Sequence, residues 1–196
     1  MRPNFAMDAP PTELTVGDNV YPVNYDYRNW IEITRLMRDI IPEAEKYEHL
    51  LHNAQTYEQI QLLAFGGLVN EGPDDVMIAL ARFAAGYPSA PMQSEDNGPP
   101  CVSFEHDLNE IIIAIRNQSG IDLSYRRKEP FHWWEFLLEF HTLCGDHYIL
   151  NIMDARSYKG TDPEMLKRKR MCALPVEHTA AEQAVLEDIN NEFYGA

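Results

Sequence analysis

The stretch "PFHWWEFLLEFHTLCGDHY", Pro130 to Tyr148, decides how this chain is read. It carries adjacent tryptophans, histidines, glutamates and a cysteine, the side chains of a metal or acid/base site, and also the bulk of a helical core. With Pro130 in the first turn, where its missing N–H costs nothing, the spacing predicts a helix running to about Cys144. At 100° per residue, His132, Glu135, Glu139 and Thr142 fall within an arc of about 80°, and nearly all the remaining circumference is large and apolar. Trp133, Phe136, Phe140 and Leu143 cover one flank, with Trp134, Leu137 and Leu138 on the other. A helix apolar on both flanks packs against two neighbours, so the segment is expected to organise the core, with Trp30 joining it from an earlier helix.

The same geometry tests the chemical reading. His141 lies about 180° around the helix from His132, so the two cannot ligate one metal from this helix. His141, Cys144 and His147 could supply three ligands, but a structural zinc site needs a fourth, and the chain has no second Cys/His cluster. We therefore read His141 as a core histidine with its polar atoms satisfied, and Glu135 and Glu139, one turn apart, as a solvated face rather than an acid/base pair. The phosphate-loop, dinucleotide, nucleophile-elbow and zincin signatures are absent. No catalytic residue, cofactor or metal is expected.

Around this centre, the 196 residues suffice for one sizeable core. Sixteen Lys and Arg against thirty-one Asp and Glu give a net charge of −15, which repels nucleic acid and anionic membranes. The basic run "LKRKRM", Leu166 to Met171, reads as a solvated helix face that offsets this excess. Three widely spaced cysteines, Cys101, Cys144 and Cys172, suggest no disulfide framework and a reducing compartment. No apolar run has the length of a signal peptide or a membrane span, so a soluble intracellular protein is expected.

Residues 1–11 read as a disordered arm, and 12–175 as a mainly α, bundle-like single domain. Its two lobes, 12–86 and 101–175, are joined by a Pro/Gly-rich linker at 87–100. The domain opens with a short β-hairpin, Leu14 and Val16 facing Val20 and Val23 across Gly17–Asn19. A helix capped by Asp26 and stopped by Pro42 follows. Further helices are expected over Thr56–Asn70, weakened by its glycine pair, Pro73–Ala85, Glu105–Gln118, Asp146–Ser157 and Pro163–Met171. Residues 176–196 form a last amphipathic helix. In it Ala181, Val185, Ile189 and Phe193 repeat every four residues among acidic neighbours, a narrow stripe that is marginal alone. It can lie on its own body near Lys167–Arg170, on a second copy, or on a partner. Its place beyond an already complete core favours an intermolecular role.

In order, "YRNWIEI", "FEHD", an isoleucine-rich helix, "GIDL", "HWWEF", "IMDAR" and a basic segment closing in "MCALP" resemble a family of long-tailed bacteriophage proteins, the gene-product-fifteen family, over most of Thr12 to Pro175. The resemblance implies a non-catalytic tail assembly chaperone, encoded beside the tape-measure gene and acting in the host cytoplasm. Such a protein binds the helical tape-measure protein, and other tail proteins or further copies of itself, while the tail tube polymerises. The alternative is a structural tail or head-tail connector protein retained in the virion.

Overall fold

The computed structural model describes residues 9–40, 54–86, 100–125 and 127–175. Its elements, in order, are β1 (Glu13–Val16), β2 (Asn19–Pro22), α1 (Tyr27–Ile40), α2 (Ala54–Phe65), α3 (Pro73–Ala84), α4 (Leu108–Ser119), α5 (Trp133–His141), α6 (Tyr148–Ser157) and α7 (Pro163–Met171). The protein is mainly α with an N-terminal hairpin, as the periodicity predicts. Residues 1–8 of the arm, 87–99 of the linker and the segment from 176 onward lie outside the described residues, as does the stop at Pro42.

Local chemistry sets most boundaries. Strands β1 and β2 pair antiparallel from Glu13 opposite Pro22 to Val16 opposite Asn19. Asp26 caps α1, its Oδ1 accepting from the backbone N–H of Arg28 at 3.1 Å. Asp162 does the same for α7, accepting from the Met165 N–H at 2.9 Å, with Pro163 in the first turn. Helix α2 ends five residues sooner than its apolar pattern, because Gly66 takes up φ +72° and terminates it rather than merely weakening it.

The stretch that opened the reading departs from expectation at both ends. Helix α5 spans nine residues, Trp133–His141, and Pro130 lies ahead of it rather than in its first turn. The cause is a tertiary pairing that outcompetes the helix. Phe131 and His132 run extended beside Tyr25 and Asp26, with Tyr27 N–H donating to the Phe131 carbonyl at 2.9 Å and Trp133 N–H to the Tyr25 carbonyl at 2.8 Å. This two-bond clasp fastens the start of α5 to the start of α1.

The buried side chains form one cluster that draws on both halves of the chain. Trp30, Trp133 and Phe136 are sealed from solvent, and Leu137 and Phe140 nearly so. Trp30 stacks on Phe83 at 4.4 Å between ring centroids, and Tyr27 on Phe136 at 4.9 Å. Phe104 sets its edge against Trp133, Phe136 and Phe140 at 5.4–5.7 Å. Trp134 is only half-buried and packs against this cluster from outside, and Leu138 is 40% exposed, so α5 has one fully buried flank rather than two.

Candidate functional site

The polar side-chain atoms of His132, Trp133 and Trp134 in "HWWEF" are directed into the fold. His132 is buried at the N-cap of α5, not on a solvated stripe. Its Nδ1 accepts from the Trp134 N–H at 3.0 Å, and its Nε2 lies 2.9 Å from the Pro11 carbonyl. Since Nδ1 accepts, the proton sits on Nε2 and is donated to Pro11. The ring stacks on Tyr25 at 5.2 Å. Burial holds this imidazole below its ordinary pKa, with the Pro11 bond and the Glu135 carboxylate opposing. The two indoles reach the end of another helix. Trp133 Nε1–H donates to the Ala84 carbonyl at 3.0 Å and Trp134 Nε1–H to the Phe83 carbonyl at 2.9 Å. These are among the last carbonyls of α3; the Phe83 carbonyl also accepts from the Gly86 N–H at 3.0 Å, and the two indoles join this C-terminal cap of α3 from α5.

A second knot joins "FEHD" to "IMDAR". The Arg156 guanidinium holds both oxygens of Asp107, at 2.5 and 2.9 Å, and both side chains are almost wholly buried. Asp107 also accepts from the Ser103 N–H at 2.9 Å, while Arg156 donates to the Cys101 and Cys172 carbonyls at 3.2 and 2.5 Å. One ion pair thus ties the loop before α4, the middle helix α6 and the end of α7. Sequence reading missed it. The available signals were an aspartate directly before an apolar-periodic run and a single cation, Arg156, in the last turn of α6, a helix whose one other charge is Asp154.

The residues that could have carried chemistry are apart or engaged. Glu139 bonds the Ser119 hydroxyl on α4, and Gln118 joins the same corner through the Thr142 carbonyl at 3.1 Å and the Cys144 N–H at 2.9 Å. Glu139 therefore fastens two helices rather than forming part of a free solvated face. His141 and Cys144 are exposed, and His147 is the residue before α6. The expectation of a core histidine at 141 is overturned, because the helix ends there and His141, unlike the buried Phe140 before it, lies on the exposed side. Among the described residues, no group of three His, Cys, Asp or Glu side chains could hold a metal ion. None of their helices is long and apolar enough to cross a membrane.

What the described surface offers is contact area. Leu62 on α2, Leu68 after it and Ile78 on α3 are 50, 63 and 49% exposed, and Tyr148 opens α6 at 67%. Helix α7 buries no residue and exposes Lys167, Arg168 and Arg170, with Met171 at 77%. The stripe Ala181, Val185, Ile189 and Phe193 lies outside the described residues.

Comparison with curated proteins and with solved structures returns no match. One family model, described as Bacteriophage Gp15 protein, matches residues 8–174. That span contains both knots. The chain belongs to the bacteriophage Gp15 protein family, and with it to the structural and assembly proteins of phages.

Proposed function

We propose that the protein is a tail assembly chaperone that binds the tape-measure protein in the host cell and keeps it soluble until the tail tube closes around it. Membership of the family carries this reading, together with the place beside the tape-measure gene that the resemblance implies. The molecule's chemistry supports it. Its landmark residues are consumed in capping, clasping and ion pairing, leaving a surface of exposed leucine and isoleucine on an acidic body. Isolated apolar side chains among charges suit weak, reversible cover of an amphipathic helix, while a net charge of −15 keeps loaded complexes apart. The stripe Ala181, Val185, Ile189 and Phe193 is the proposed contact. Its helical spacing matches the grip of one amphipathic helix on another.

The test is to follow the protein through infection. It should co-purify with the tape-measure protein before tube assembly, lose that partner on Val185→Glu/Ile189→Glu substitution, and be missing from finished particles. Fixed copies in purified virions would identify it instead as a tail or connector component.

A further inference from the structure

We infer that the outward face of α3 is the interface of a symmetric dimer, in which α3 lies antiparallel against the α3 of a second copy with Ile78 at the two-fold axis. This surface stands whether or not the protein acts on the tape measure.

Helix α3 is apolar on the side where a surface helix is ordinarily polar. From Val76 to Phe83 it carries one charge, Arg82. Val76, Ala79, Leu80 and Phe83 turn into the core and are buried. Asp74, Asp75, Ile78, Ala81, Arg82 and Ala85 are exposed, Ile78 by 49%. At about 100° per residue these six fall within an arc of roughly 120° centred on Ile78, so they form one continuous face along the helix. Its middle is Ile78 with two alanines beside it, and small side chains let a second helix approach to an axial distance of about 8 Å.

The ends of this face determine which helix fits. Asp74 and Asp75 stand in the first turn and Arg82 in the last. None of the three enters an ion pair among the described residues. In an antiparallel pair centred on Ile78, Asp74 and Arg82 are each four residues from the axis, so Asp74 of one copy meets Arg82 of the other, twice over. Asp75 lies opposite the second copy's Ala81 in the same way, three residues from the axis. The face is therefore complementary to itself, as a two-fold axis requires. Antiparallel alignment also places the helix dipoles favourably. A parallel pair would set like charge against like at both ends, and a uniformly basic or uniformly acidic partner helix would satisfy only one end.

The magnitudes allow a weak dimer. Each copy carries a net charge of −15, whose repulsion is screened beyond roughly 8 Å at physiological salt, whereas the two Asp–Arg pairs lie within that distance. A 12-residue helix is about 18 Å long, so the contact stays below about 1,200 Å² and association depends on concentration.

Sedimentation equilibrium of the full-length protein at about 0.15 M salt, from roughly 5 to 500 μM, tests this interface. The mass should rise from that of one chain toward that of two. Arg82→Asp and Asp74→Arg should each weaken self-association at least about tenfold, since each sets two like-charge pairs across the axis. Mixed in equal amounts, the two variants should pair with each other and recover the affinity of the unaltered protein, because every such contact is again an aspartate opposite an arginine. If either variant fails to fold, Ile78→Lys decides: two cations at the axis should abolish the dimer, and an unchanged dimer would count against this face. A single-chain mass throughout the range, dimers that persist in both charge variants, or a mixture no more associated than its components would each overturn the inference.

Discussion

Replacing Asp107 by Ala strands the Arg156 guanidinium inside the protein. Arg156 and Asp107 side chains are 11 and 6% exposed, so neither finds water when its partner is removed. Without the carboxylate, the cation keeps only the uncharged Cys101 and Cys172 carbonyls at 3.2 and 2.5 Å. Breaking a buried pair from one side costs about 3–5 kcal/mol. The lost acceptor for the Ser103 N–H adds about 1 kcal/mol. At roughly 2–4 °C per kcal/mol for a chain of this size, the melting temperature should drop by about 8 °C or more. Arg156→Met strands the carboxylate instead and should cost a similar amount. The double variant leaves no buried charge, and its cost should be no greater than that of either single change, about 2–3 kcal/mol for the two carbonyls and one N–H left unpaired. Urea unfolding followed by circular dichroism, with the denaturant slope unchanged, measures all three and the coupling between them. Single variants that cost under about 1 kcal/mol, or a double variant equal to their sum, would show that Asp107 and Arg156 are not a coupled buried pair.

Trp133→Phe should cost about 2–4 kcal/mol and Trp134→Phe about 1–2 kcal/mol, because both lose a bond to an α3 carbonyl but only Trp133 leaves a cavity in the sealed core; equal losses in urea unfolding would contradict this ranking. Gly86→Ala should destabilise by about 1–3 kcal/mol, since Gly86 has φ +72° and a Cβ there would sit 2.5 Å from Leu137 Cδ1; an unchanged melting temperature counts against the seat of α5 on α3. His132 makes stability depend on pH with a definite sign. Its folded pKa lies below the ordinary value of about 6.5, so on acidification the unfolded chain takes up this proton first. The contribution is complete above about pH 6.5 and is lost as pH falls toward the folded value, where protonating Nδ1 also removes the cap on Trp134. Subtracting the pH profile of His132→Asn from that of the unaltered protein should isolate this loss, and identical profiles would show that the ring stays accessible to protons in the fold.

Legibility in the sequence followed the range of the interaction. Helices α1 and α7 and the hairpin carry their signals within a few residues, in Asp26, in Asp162–Pro163 and in the Gly17 turn, and all were readable. The core at Trp30, Trp133, Phe136, Leu137 and Phe140 was readable because apolar spacing reports burial directly. Helix α5 was drawn too long because Phe131 and Leu143 continue its apolar pattern, whereas a backbone clasp to residues about 26 positions into the chain ends it early. His132 was assigned to the polar stripe for the same reason: a cap and a helical position look alike when the boundary is misplaced. The Asp107–Arg156 pair joins residues 49 apart, and nothing in local spacing announces it. The glutamates were read as solvated, yet Glu139 reaches Ser119 across two helices. The misses at the start of α5, at Asp107–Arg156 and at Glu139 are long-range polar contacts, whereas the early end of α2 at Gly66 is a local signal given too little weight.

The claim that this molecule exists to protect a helical partner is tested most directly by the solubility of the tape-measure protein in a cell that makes no other phage component. Expressed alone, the tape-measure protein should collect in the insoluble fraction. Expressed with this chain, it should remain soluble in a complex that elutes as one species. The Val185→Glu/Ile189→Glu variant, folded as judged by an unchanged melting temperature, should fail to rescue it. A tape-measure protein equally soluble with and without this chain, or rescued equally by the variant and by an unrelated acidic protein, would contradict the account.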